Sequence, residues 1–143
     1  MNLLELKIKT KEWYQKIDSV YSPALGIKIN FNAKGFNHIT FRNPRNPRNN
    51  VDQINRLKIL PLAVKLIEKA NIYQEYEYIK PEVLNLKSIE YWGIIAIIDE
   101  NKIKVILRRI GGGDIHFWSV IPAYSTSEKR DKSFKLKGDP DTD

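Results

Sequence analysis

The second half of the chain consists of four strand-like runs that follow one another closely. These runs occupy residues 72–79, 92–99, 102–110 and 115–124, and they are rich in aromatic and β-branched residues. A short turn joins the second run to the third, and three glycines join the third to the fourth. Because consecutive strands with short connections pair antiparallel, the sequence predicts a four-stranded antiparallel meander.

The first half shows the spacing of amphipathic helices. Apolar residues recur at three- and four-residue intervals in residues 3–21 and 54–70. Pro23 ends the first region, and Pro61 divides the second into a short piece up to Leu60 and a longer helix that begins at the proline. The predicted fold class is therefore α+β, with two N-terminal helical regions packed on one face of the four-stranded antiparallel β-sheet and the other face open to ligand.

The length of 143 residues suits one domain, which we place at residues 1–124. The remaining residues, 125–143, are polar and form either a loose C-terminal tail or an extended segment that binds over the surface. The sequence contains no cysteine, which fits a reducing cytoplasm. It shows neither a secretory signal nor the roughly 20 apolar residues that a membrane helix needs. We therefore expect a cytoplasmic protein with no membrane partner.

The chain is basic, with a formal net charge of +7 and a pI near 9.5. Such an excess favours a polyanionic partner, which could be nucleic acid, an anionic surface or an acidic protein. Lys102, Lys104 and Arg108 alternate along the third strand, so they form either an ordinary polar face or a basic row that binds a phosphate backbone. Arg109 has the opposite parity and is expected at the sheet margin, where its guanidinium could clamp a phosphate.

The two histidines of the sequence, His38 and His116, both lie in stretches that contain arginine. Imidazole is the side chain best matched to proton transfer near neutral pH, although a lone histidine is often structural. Cleavage of RNA by its own 2′-hydroxyl needs a base, an acid and cations around the phosphate. His38, His116, Arg42 and Arg108 or Arg109 would supply that set. Without cysteine or a spaced carboxylate cluster, two histidines do not compose a zinc site, so we expect neither metal nor cofactor.

Three further side chains near the end of the sheet are candidates for binding substrate. Trp118 shares strand parity with His116 and Val120, and is either a core residue or a stacking platform for a base. The hydroxyls of Ser119 and Tyr124 could bind a phosphate oxygen, as could the ammonium of Lys104.

Two loops are predicted from their glycine and proline content. Residues 111–113 are all glycine and are expected to form a hairpin loop with positive φ rather than a phosphate cradle, because the spacing of a nucleotide-binding motif is missing. Residues 43–50 contain two Asn-Pro steps and no apolar side chain, which is typical of an exposed loop with solvated arginines.

Together these stretches resemble a known group of nucleases. Residues 35–42, 56–70, 102–110 and 116–124 are similar to the phage-associated nucleases of the barnase, EndoU, colicin and RelE superfamily (BECR fold), which includes toxin domains of phage head-morphogenesis proteins. The resemblance covers about residues 34–124. It implies helices first, then a four-stranded antiparallel sheet whose exposed face holds RNA.

The resemblance also assigns individual positions in the first half of the chain. The family's histidine followed shortly by arginine falls on His38 and Arg42. Its leucine-proline helix start falls on Leu60 and Pro61.

In the second half, the family's basic strand falls on Arg108 and Arg109. Its closing strand, which carries a hydroxyl residue near a turn, falls on Ser119 and Tyr124. His116 has no fixed counterpart in the family pattern.

The leading functional hypothesis is a metal-independent endoribonuclease, acting as a toxin on tRNA or mRNA. In this hypothesis His38 is the base and His116 the acid, and the product is a 2′,3′-cyclic phosphate. The alternatives are a non-catalytic RNA- or phosphate-binding module and a phage structural or interaction domain. A basic site of this kind would be neutralised by an acidic antitoxin or immunity protein, which we expect as a partner beside RNA.

Overall fold

The computed structural model describes residues 1–84, 86–123 and 138–143. Within them it contains three helices, α1 (Leu3–Gln15), α2 (Ala33–Thr40) and α3 (Asn50–Lys69). The strands are β1 (Ser19–Ser22), β2 (Ile27–Asn30), β3 (Phe41–Asn43), β4 (Asn46–Pro47), β5 (Glu75–Ile79), β6 (Ile89–Ile98), β7 (Asn101–Ile110) and β8 (His116–Pro122).

Six of these strands form one mixed sheet in the order β1-β2-β8-β7-β6-β5, while β3 and β4 form a separate hairpin. The α+β class is thereby confirmed, but a sheet limited to a four-stranded antiparallel meander was a wrong prediction. Strands β5 to β8 are consecutive antiparallel neighbours and make up only part of the sheet. The β1-β2 hairpin extends it through a parallel contact between β2 and β8.

The helical half of the chain also differs from its prediction. The first helix ends at Gln15, because the residues after it turn into β1 and pair with β2. The second predicted region is one continuous helix, α3, with Pro61 inside it. Proline cannot donate the main-chain hydrogen bond at that turn, yet the buried side chains of Leu57, Leu60 and Ala63 hold both halves of α3 against the sheet.

The main core lies between the helices and one face of the sheet, which we call the helix-bearing face. Its fully buried members include Leu57 and Leu66 of α3, Ile39 of α2, Val105 of β7 and Phe117 of β8. In the described part of the chain, no helix is both long and apolar enough to cross a membrane.

The opposite face of the sheet, here the second face, carries a smaller apolar cluster. Tyr91, Ile106 and Trp118 pack together on it, beside the buried polar side chains of Arg108 and His116. This face is therefore mostly covered rather than open as the sequence predicted.

Strand β8 contains a β-bulge at Trp118. His116 is the cross-strand partner of Arg108 and Ser119 that of Ile106, so the register shifts by one residue between them. Trp118 is the extra residue and packs on the second face, whereas Val120 turns into the main core. The prediction that His116, Trp118 and Val120 share one face was therefore wrong for Val120, because a bulge breaks the alternation of side chains.

Helix α2 approaches β8 most closely at Gly35. A Cβ atom added there would meet the main-chain oxygen of Phe117 and lie 2.9 Å from the hydroxyl of Tyr14. The Tyr14 hydroxyl in turn donates a hydrogen bond to the main-chain oxygen of Asn32, the residue that caps α2. Only glycine allows α2 to come this near to the strand.

We expect Gly35→Ala to lower the free energy of unfolding by roughly 1–3 kcal/mol, because the added methyl overpacks against fixed backbone. Helix propensity favours alanine by about 1 kcal/mol, so a net loss would be due to the contact itself. Urea unfolding of both proteins measures the difference. The control is Gly112→Ala, where an added Cβ meets no heavy atom within 4 Å. Equal stability of the two variants would contradict the close approach.

Candidate functional site

The candidate site lies where α2, the β3-β4 hairpin and α3 pass the edge of β8. Strand β2 pairs with β8 at a single position, Asn30 opposite His116, so the helices lie beside the rest of that edge. His38 of α2, Arg48 after β4 and Arg56 of α3 extend across it toward the bulge in β8. Residues that are far apart in the chain are thereby brought into one buried cluster.

Arg48 is the residue whose burial the sequence did not predict. It belongs to the Asn-Pro loop expected to be solvated, yet only 3% of its surface is exposed. The hairpin carries it back to α2, where its main-chain N–H donates to the oxygen of Thr40 at 2.9 Å. Its Nε donates to the main-chain oxygen of His38 at 3.0 Å, and its Nη2 donates to His38 Nε2 at 3.2 Å. The neighbouring Arg45 is exposed as predicted.

A second buried guanidinium, that of Arg56, lies next to Arg48. Its Nε bonds Asp52 Oδ1 at 2.9 Å, and its Nη1 donates to the hydroxyl of Ser119 at 3.1 Å. Asp52 also lies 3.7 Å from Arg48 Nη1. One partly exposed carboxylate thus faces two buried cations, and the cluster keeps an excess of positive charge.

The ring of Trp118 is covered on both faces. The imidazole of His38 stacks on it, with centroids 3.9 Å apart and planes 15° from parallel, and the Cζ of Arg108 lies 3.4 Å from the same centroid. Two groups this near one ring centre cannot share a side, so His38 and Arg108 occupy opposite faces. Trp118 is therefore an internal support here, and a base could stack on it only after one of these side chains moved.

His116 lies beyond Arg108 as seen from His38. Its Nε2 accepts a hydrogen bond from Arg108 Nε at 2.9 Å, and its ring stands edge-on to Trp118 with centroids 6.3 Å apart. A further hydrogen bond links the imidazole to the main chain of Asp114. The structure thus places both histidines at the indole but separates them by the indole and a guanidinium.

Both imidazoles are uncharged at neutral pH. Burial, together with the positive charges of Arg48, Arg56 and Arg108, lowers the pKa of His38 to about 3. Burial and the adjacent Arg108 likewise lower the pKa of His116 to about 4. Burial, with Arg56 nearby, lowers the pKa of Arg48 to about 10, so this guanidinium remains charged.

The other sequence-predicted residues lie outside this cluster or at its rim. Arg42 is exposed on β3, but its charge still lowers the pKa of Arg48 and Arg56. Arg109 lies on the helix-bearing face, where its Nε bonds Glu90 Oε1 at 2.8 Å, so the structure does not bring it to the cluster.

Lys104 lies on the second face, paired with Glu75 at 2.7 Å. Tyr124 is outside the described residues, as are residues 125–137 of the predicted tail.

The last described residues, 138–143, occupy the cluster. The main-chain oxygen of Asp143 accepts hydrogen bonds from the Ser119 hydroxyl at 2.7 Å, from Arg48 Nη2 at 3.1 Å and from Arg56 Nη1. Arg48 also donates to the main-chain oxygen of Thr142 at 2.9 Å. We call Arg48, Arg56 and Ser119 the anion site, because three donors meet at one oxygen and two of them are cationic.

Arg48 was missed because the Asn-Pro loop was predicted to be solvated, and Arg56 because the sequence suggested no functional role for it. One signal was available: Asp52 and Arg56 are four residues apart, which places both side chains on one face at the start of a helix, and Arg48 precedes Asp52 by four residues. The burial of that face against β8 depends on long-range packing that spacing does not reveal.

No family model, curated protein or solved structure matches this chain significantly.

The lowered pKa values predict how the imidazoles respond to pH. The unfolded chain binds protons on histidine near pH 6.5, whereas the folded chain does so only near pH 3–4. Stability should therefore fall as the pH drops from about 6.5 toward 4, because the unfolded state takes up protons first. Urea unfolding at pH 7.5 and 5.0 measures the fall, which should be smaller in His38→Gln. An NMR titration midpoint near 6.5 for either imidazole would contradict the burial described here.

Proposed function

We propose that the chain is a metal-independent endoribonuclease whose reacting phosphate binds at the anion site. The observation that carries the proposal is the single oxygen of Asp143 that accepts hydrogen bonds from Arg48, Arg56 and Ser119 beside a neutral imidazole. A phosphodiester offers negatively charged oxygens, to which two buried guanidiniums and a hydroxyl can donate hydrogen bonds.

In the proposed reaction the phosphate oxygen replaces that of Asp143. His38 accepts the proton of the 2′-hydroxyl, for which its imidazole must be uncharged at neutral pH, as burial makes it. The 2′-oxygen then attacks phosphorus while Arg48 and Arg56 stabilise the charge that develops on the phosphorane oxygens. The bond to the 5′-oxygen breaks, leaving a 2′,3′-cyclic phosphate and a free 5′-hydroxyl.

The role expected for His116 changes in this proposal. A general acid must carry a proton at the working pH, but the pKa of His116 is lowered to about 4 and its Nε2 accepts from Arg108. We propose instead that His116 positions Arg108 against Trp118. The proton for the 5′-oxygen then comes from water, while Arg48 keeps its charge.

A second candidate function is a non-catalytic RNA- or phosphate-binding module. The separation of the two imidazoles by Trp118 favours it, because no histidine pair then brackets one phosphate. The further expectations of a toxin role, of tRNA or mRNA as substrate and of an acidic antitoxin stay predictions.

The cleavage test uses total bacterial RNA in excess EDTA, with the new 3′ ends mapped. We expect products that end in cyclic phosphate, and a loss of rate on the order of 10²–10⁴ in His38→Ala. Arg56→Ala should lose about 10², because one donor to the developing charge is gone. Activity of His116→Ala should fall less than that of His38→Ala.

The matched control for Arg48→Ala is Arg45→Ala, which removes an exposed arginine from the same loop. Arg48→Lys keeps the positive charge but loses the planar guanidinium that donates two hydrogen bonds at once. Circular dichroism shows whether each variant is still folded. RNA left intact by the folded wild type, together with binding that weakens steeply with salt, would favour the binding module. Cleavage unchanged in His38→Ala would refute the mechanism.

A further inference from the structure

The segment in the anion site is acidic, although the chain as a whole carries a net charge of +7. Three of the residues in 138–143 are aspartates: Asp139, Asp141 and Asp143. We call residues 138–143 the acidic segment. It lies on the part of the molecule where buried guanidiniums are most concentrated.

The acidic segment is folded as a compact turn. The main-chain N–H of Asp143 donates to the oxygen of Asp139 at 2.8 Å, and that of Asp141 donates to the Asp139 carboxylate at 3.1 Å. Gly138 has φ of +82°, a left-handed conformation that glycine adopts without strain. The turn therefore has local interactions of its own that organise it for docking.

Three main-chain oxygens of the turn face the site. Those of Thr142 and Asp143 bond the anion site as described, and that of Pro140 accepts a hydrogen bond from Trp118 Nε1 at 2.8 Å. A row of oxygens with carboxylates beside it presents to this cluster what a nucleic-acid backbone would present.

The carboxylates add electrostatic attraction to these hydrogen bonds. Burial lowers the pKa of Arg56 and of Arg108, and the negative charges of Asp143 and Asp141 respectively oppose that shift. The oxygen of Asp143 already receives all three donors of the anion site, so a phosphate cannot bind there at the same time.

We propose that the acidic segment is a built-in competitor of the substrate, which must displace it to reach His38 and the anion site. That the competing ligand is RNA rests on the proposed function, whereas the competition itself rests on the contacts of the segment. A tethered competitor acts at an effective concentration in the millimolar range, and the apparent affinity for ligand falls in proportion to the fraction of open site.

Two variants weaken docking by different means and leave the anion site intact. In Asp139→Asn/Asp141→Asn/Asp143→Asn the attraction to the guanidiniums is lost. In Gly138→Val the left-handed conformation becomes strained, while every charge is kept. The control for the first is Glu12→Gln/Glu68→Gln/Glu82→Gln, which removes three exposed acids elsewhere and changes net charge equally.

The first measurement is binding of a fluorescent RNA oligonucleotide with 2′-O-methyl groups, which cannot be cleaved through its 2′-oxygen. We expect fluorescence anisotropy to give about tenfold tighter binding for both segment variants than for wild type, beyond any gain in the glutamate control. Affinity in the aspartate variant equal to that in the glutamate control would overturn the proposal, because charge alone would then explain the gain.

The second measurement follows the indole N–H of Trp118 by NMR, which reports docking without any activity. We expect slow hydrogen exchange in wild type and faster exchange in both segment variants. Fast exchange in wild type would show that the segment is not docked, and would also overturn the proposal.

Inorganic pyrophosphate separates this proposal from the proposed function. If no variant binds the oligonucleotide but pyrophosphate shifts the Trp118 signal at lower concentration in the segment variants than in wild type, competition stands and RNA is the wrong ligand. If pyrophosphate shifts the Trp118 signal at the same concentration in wild type and in the segment variants, competition is refuted.

Discussion

The β-bulge at Trp118 is the feature on which the rest of the site depends. In a regular strand, His116 and Ser119 would point to opposite faces, because they are three residues apart. The extra residue lets both pair with residues of the second face, Arg108 and Ile106 respectively, and leaves the indole between them. Without the bulge, either the hydroxyl of the anion site or the imidazole that bonds Arg108 would point into the main core.

The same arrangement concentrates positive charge in the cluster. Arg48, Arg56 and Arg108 are all buried, and among described residues Asp52 is the carboxylate that contacts two of them. Burying like charges without compensation is costly. The cost is reduced if the imidazoles stay neutral, and reduced further if an anion binds. The acidic segment meets that need, and a phosphodiester, which also carries one negative charge, would meet it in the same way.

The sequence pattern correctly predicted those elements whose structure depends mainly on neighbouring residues in the chain. The strand period identified β5 to β8, and the glycine run identified the loop after β7, where Gly111 has φ of +58°. Strand parity alone misplaced Val120, since a bulge leaves no trace in the apolar pattern. The burial of Arg48 could not be predicted either, because it results from a hairpin that folds back on α2. Pro61 was predicted to divide the second helical region, whereas long-range packing keeps α3 continuous through it.

The expected mechanism assigned acid and base to the two histidines because imidazole suits proton transfer near neutral pH. In the structure their positions are not equivalent. Arg48 donates hydrogen bonds both to His38 Nε2 and to the oxygen bound at the anion site. His116 is instead bonded to Arg108 on the far side of the indole. Chemistry at a phosphate in this site would therefore involve one imidazole and two guanidiniums. Such a site depends on charge stabilisation more than on proton transfer between two histidines. Its activity would therefore depend on whether the acidic segment or a phosphate occupies it.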